Sequence, residues 1–85
     1  MKYLEKILKT LGNRRRLAIL ALLKKKEASV GEIASSIKLS LTATSRHLGI
    51  LRAVDLVERE QRSLEAYYSL SRSQTKVVRH ILSEL

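Results

Sequence analysis

The sequence predicts a mainly helical domain closed by a β-hairpin, in the order α-α-α-α-β-β-α. Three observations carry this reading. Apolar residues recur at helical spacing up to residue 54; two short, capped helical segments are separated only by the turn at residues 38–40; and after Asp55 the pattern changes to period two. No proline, Gly/Ser linker or repeat divides the 85 residues, so one domain spanning 1–85 is expected.

The first helix, residues 2–11, places Tyr3, Leu4, Ile7, Leu8 and Leu11 on one stripe with lysines between them, and Gly12 marks its end. Asn13 can cap a second helix from Arg14 to about Lys26, whose Leu17, Ile19, Leu20, Ala21, Leu22 and Leu23 form a broad apolar surface suited to the centre of a core. The three arginines in its first turn oppose the helix dipole, and read either as a solvated cluster or as phosphate contacts.

Ser29 followed by Glu32 is a capping box, and Val30, Ile33, Ala34 and Ile37 follow at i, i+3, i+4 and i+7. Ser40 can cap the next helix, Leu41 to about Val54, which makes residues 29–54 a helix-turn-helix. On its second helix Thr44, Leu48 and Leu51 form an inward stripe, while Thr42, Ser45, Arg46 and Gly49 form an outward one of small or hydrogen-bonding residues. Residues 57–70 read as a hairpin, with strands Val57–Gln61 and Leu64–Leu70. Leu64, Ala66, Tyr68 and Leu70 are expected to face inward, and Arg62 and Ser63 to form the tip with Arg59 beside it. Ser71 with Gln74 is a further capping-box candidate, opening a last helix over 72–85 with Val77, Val78, Ile81, Leu82 and Leu85 on its apolar face.

Charge points to a polyanionic partner. The chain carries 17 Lys+Arg against 8 Asp+Glu, a net charge of +9, and residues 1–26 hold nine of the bases with only Glu5 opposing them. Nucleic acid and an anionic membrane surface both fit that balance. A membrane-surface helix needs more length than residues 2–11 offer, so no membrane role is expected. The apolar stretch 17–23 runs straight into Lys24–Lys26 and does not resemble a signal peptide, which predicts a cytoplasmic protein.

Catalysis and metal binding find few of the groups they need. There is no cysteine, which excludes disulfides and thiolate ligands, and the three glycines form no phosphate loop. His47 and His80 lack a nucleophile or paired carboxylates, so no enzyme is expected. His80 and Glu84 stand four apart on the last helix without the further ligands a metal requires, so neither a metal nor another cofactor is expected.

The segments LKTLGNRRRLAILALL, SVGEIASSIKLSLTATSRHLGILRAVDLVE and EAYYSLS together resemble the ArsR/SmtB-type winged helix-turn-helix regulators over nearly the whole chain. The resemblance implies a homodimeric transcription regulator of the repressor kind, bound to double-stranded DNA. It places Ser45, Arg46, His47 and Leu48 on the recognition helix, makes Thr42, Ser45 and Arg46 groove-contacting positions, and puts Tyr67 and Tyr68 on the returning wing strand. The expected DNA-contacting set is completed by Ser40, Leu41, Ala43 and His47 around that helix and by Arg59 and Arg62 on the wing. Tyr3, Leu4, Ile7, Leu8 and Leu11, with Val77, Val78, Ile81, Leu82 and Leu85, are expected to pair the terminal helices with those of a second copy. An alternative is a winged-helix module whose outward face binds another protein.

The chain also departs from that family's pattern. The segment EASVGEI lacks the cysteines with which such regulators often sense metals, Asn13-Arg14 replaces an Asp-Pro pair, Asp55 stands where glycine is usual, and Leu41 where glutamine is frequent. Asp tolerates the left-handed conformation, so the turn is expected to survive, and Leu41 is expected to alter which bases are read.

Overall fold

Four side chains fix where four of the five helices begin. In the computed structural model, which describes residues 1–85, Asn13 Oδ1 accepts from the backbone N–H groups of Arg15 (3.0 Å) and Arg16 (3.1 Å), opening helix α2, Arg14–Lys25. It follows α1, Lys2–Leu11, which ends where Gly12 N–H donates to Leu8 O. Ser29 and Glu32 form the expected box: Ser29 Oγ accepts from Glu32 N–H (3.1 Å) and Ser29 N–H donates to Glu32 Oε1 (2.8 Å), opening α3, Val30–Ile37. Ser40 Oγ accepts from Ala43 N–H, opening α4, Leu41–Ala53. Each cap satisfies donors that a helix start otherwise leaves bare.

The fourth cap is not the one expected. The last helix, α5, spans Lys76–Ser83 and is capped by Thr75, whose Oγ1 accepts from Val78 N–H. Ser71 does not start it, because Gln74 is used elsewhere: its Nε2 donates to Ser71 O (2.9 Å) and Leu56 O (3.2 Å), lashing residues 71–75 to the sheet.

The hairpin joins β2, Val57–Arg62, to β3, Glu65–Leu70, in the register Val57↔Leu70 to Arg62↔Glu65. Ser63 and Leu64 make its turn, Ser63 at φ 57°. Leu64 therefore lies at the tip, 96% exposed, and not on the inward face expected for it. Inward alternation holds for Tyr68, which is buried, with Ala66 and Leu70 partly so. A further strand, β1, consists of Ala28 and Ser29 and pairs antiparallel with Tyr68 and Tyr67, giving the sheet order β1-β3-β2. Two left-handed residues sharpen the chain around α4: Lys38 (φ 56°) ends α3, and Asp55 (φ 58°) turns the chain into the wing. Asp does there what glycine usually does.

Ile19, Leu20 and Leu23 of α2 lie at the centre of the core, against Ile33 of α3, Leu48 and Leu51 of α4, Leu56, Val57 and Tyr68 around the sheet, and Ile7, Leu11, Val78 and Leu82 from the terminal helices. Burying these large apolar side chains is the main source of stability.

Candidate nucleic-acid interface

Helix α4 has one stripe bound to the core and another left bare. Thr44, Leu48 and Leu51 are fully buried, while Leu41, Thr42, Ser45, Arg46 and Gly49 are exposed and Ala43 is intermediate. The helix is thus held by one side and presents a row rich in small and hydrogen-bonding groups on the other. Arg46 is the one long donor among Thr42, Ser45, Arg46 and Gly49.

The position of that row is set by the arginines of α2. Arg16 Nε donates to Thr10 O (2.6 Å) and its Nη1 lies 3.3 Å from His47 Nδ1, so one guanidinium bridges the end of α1 to the middle of α4. Arginine has no acceptor, so Nδ1 of His47 accepts and its proton sits on Nε2. Burial, then the charges of Arg16, Arg46 and Arg15, hold the His47 imidazole below the ordinary histidine range, which keeps it neutral near pH 7. Arg15 Nη1 donates to Ile37 O (3.3 Å) at the last turn of α3. Two of the three arginines are therefore structural ties, a role that neither the solvated-cluster nor the phosphate-contact reading anticipates, and Arg14 is exposed.

The wing differs from expectation in its charge. Arg62 does not project freely from the tip: its Nη1 and Nη2 each lie 2.8 Å from an oxygen of Glu27, its Nε donates to Glu60 Oε1 (2.7 Å), and its guanidinium carbon stands 4.7 Å from the centre of the Tyr67 ring. The Glu27 carboxyl is in turn held below the usual carboxylate range by its hydrogen bonds to Arg62. Residues 57–70 carry Glu58, Glu60 and Glu65 against Arg59 and Arg62, so the wing as a whole is not basic. Arg59, whose Nη2 donates to Gln61 Oε1 on the exposed strand, is the wing arginine outside this clasp. The strand expected from the sequence ends at Gln61 and leaves Arg62 at the tip, which misses the Glu60–Arg62 pair, two apart on one strand; Glu27 lies 35 residues from Arg62 with no local sign of its role.

The terminal helices also divide. Ile7, Leu11, Val78 and Leu82 are covered by the chain's own core, so they are not free to face a second copy. Tyr3, Leu4, Leu8, Val77 and Leu85 remain exposed by 37% or more, and Ile81 is intermediate. Elsewhere, no three His, Asp or Glu side chains converge as a metal would need, and no helix is long and apolar enough to cross a membrane.

A helix-turn-helix with a hairpin packed behind it, and a bare, hydrogen-bonding face on its second helix, defines a winged helix-turn-helix protein. The bacterial regulatory proteins of the arsR family match residues 13–59. The transcriptional activator HlyU of Vibrio cholerae is 39% identical over 79 residues, 93% of this chain and 73% of that protein. The nodulation protein NolR of Rhizobium meliloti is 37% identical over 78 residues, 92% of this chain and 64% of that protein. The solved structure of HlyU superposes with a TM-score of 0.85 at 35% identity, covering 98% of this chain and 87% of that one. That of a homodimeric winged helix-turn-helix DNA-binding domain from Mycobacterium bovis gives 0.84 at 30% identity, covering 98% and 74%. The chain belongs to the ArsR family and is a transcription regulator, not an enzyme.

Proposed function

We propose that the chain acts in the cytoplasm as a homodimer that binds double-stranded DNA sequence-specifically, with α4 in the major groove. The observation that carries this is the bare stripe of α4, anchored from behind by Thr44, Leu48 and Leu51. A recognition helix enters the groove by its N-terminal residues, so Leu41, Thr42, Ser45 and Arg46 face base edges, with Ser40, Ala43 and His47 at the flanks. His47 offers its Nε2–H as a neutral donor to a phosphate. The wing, residues 57–70, lies along the backbone with Arg59 as its phosphate contact, and Arg62 shapes the wing without touching DNA.

The dimer is built on the exposed parts of the terminal helices, Tyr3, Leu4 and Leu8 with Val77, Ile81 and Leu85, in keeping with the homodimeric domain from Mycobacterium bovis. Two such protomers read half-sites about 34 to 36 Å apart, one turn of the duplex. Occupancy of a promoter by this dimer represses it. A binding-site selection from random duplex tests the proposal: a two-fold symmetric site with half-sites one turn apart supports it, and recovery of no preferred sequence at low salt contradicts it. A reporter driven from the selected site reads the direction of control, and repression is expected.

A further inference from the structure

Leu41 is the first residue of α4 and is 59% exposed. A single exposed leucine is ordinary on a protein surface. Its place is what gives it meaning. Ser40 fixes the helix start immediately before it, through the bond from Ala43 N–H to Ser40 Oγ, so the backbone at Leu41 is held in register. Side chains on a helix lean toward its N-terminus, and at the first position nothing of the helix lies beyond to receive them. Leu41 therefore projects from the end of the helix that leads into the groove. It stands four residues before Ser45, on the flank of the row that runs through Thr42 and Arg46.

The side chain has neither donor nor acceptor, so it cannot tell one base pair from another by hydrogen bonding. The major groove presents one apolar feature that varies with sequence, the C5-methyl group of thymine. We propose that Leu41 is a specificity residue that reads a thymine methyl in each half-site, by apolar contact alone. This rests on the placement of α4 in the major groove. A polar edge set against Leu41, such as the amino group of cytosine or the oxygen of guanine, loses water without gaining a partner, so the residue selects for thymine and also against its competitors.

The test uses the full chain on its selected site. Each thymine of one half-site is replaced in turn by deoxyuridine, which removes the methyl and leaves the Watson–Crick edge unchanged. Wild type should bind about fourfold more weakly at one such position, the loss that corresponds to one methyl group returned to water. Leu41→Ala should bind the thymine and deoxyuridine duplexes alike. Leu41→Gln, of similar length but with an amide that pairs with adenine, should move the selected base at that position to adenine. Because Leu41 is exposed and uncovered by the core, both variants should retain the wild-type circular dichroism. The inference is overturned if no thymine-to-deoxyuridine change weakens wild type, or if Leu41→Ala keeps the same penalty as wild type. A chain that selects no duplex at all overturns this inference together with the DNA-binding proposal, whereas a selected site blind to its methyls overturns this inference alone.

Discussion

Arg16 and His47 illustrate how a charged side chain can act as structure. Three groups share the Arg16 guanidinium, the carbonyls of Lys9 and Thr10 and the imidazole of His47, which ties a terminal helix to the recognition helix. Folding holds the His47 pKa below its ordinary value of 6.5, because burial and three neighbouring arginines disfavour the charged ring. Protonation therefore binds more readily to the unfolded chain, and the contribution to stability is present above about pH 6.5 and lost as the pH falls below it. We expect urea denaturation to show wild type losing more stability between pH 7.5 and 5.5 than His47→Asn does; equal losses would contradict the assignment. Thr44 poses the opposite case. Its Oγ1 is buried without a hydrogen-bond partner, a penalty that an apolar group of the same shape does not incur. Thr44→Val is expected to raise stability by about 1 kcal/mol with DNA binding unchanged, and a destabilised variant would show that the hydroxyl has a partner.

Helices α2 to α4 were legible because each is written locally, as apolar residues with a cap next to them, and α1 because its apolar stripe runs up to Gly12. Asn13, Ser29 and Ser40 all cap the helices that the sequence assigns to them. Leu64 departs from its expected inward face for a local reason, the tight turn it forms with Ser63, whereas the other departures are decided by residues distant in the chain. Strand β1 is two residues long and exists through its pairing with Tyr67 and Tyr68. The sequence offers Ser71 with Gln74 as the cap of α5, but Gln74 is drawn to Leu56 O and the helix starts after Thr75. Arg62 reads as a free charge until Glu27, 35 residues away, is brought against it. That clasp changes what the wing should do. Each phosphate contact steepens the salt dependence of binding by ~0.9 in the logarithmic slope. Arg59→Ala is expected to reduce the slope by that amount per protomer, while Arg62→Ala leaves it unchanged and lowers the stability of the hairpin. A salt series on both variants checks this, and a slope lowered by Arg62→Ala alone would reverse the assignment.

The terminal helices present two different faces. One face completes the core through Ile7, Leu11, Val78 and Leu82, and periodicity showed that face without showing what covers it. The other face leaves Tyr3, Leu4, Leu8 and Val77 bare, an apolar surface suited to a second copy, and a chain this small gains from such support. Leu8→Asp with Val77→Asp should give a folded monomer by sedimentation at micromolar concentration. Ile7→Ala should instead lower stability by roughly 2 to 5 kcal/mol, the usual cost of a large core truncation. A wild-type chain that sediments as a monomer would contradict the assembly. Sequence-specific binding requires α4 to read base edges, and Arg46 is the long donor of its exposed row, suited to the O6 and N7 acceptors of guanine. The most direct measurement is the affinity of wild type and Arg46→Ala for the selected site and for random duplex. A loss of roughly 1 to 3 kcal/mol on the selected site with little change on random duplex is the result expected of a base contact; an equal loss on both would mean that Arg46 meets only phosphate and that the exposed face of α4 does not read sequence through it.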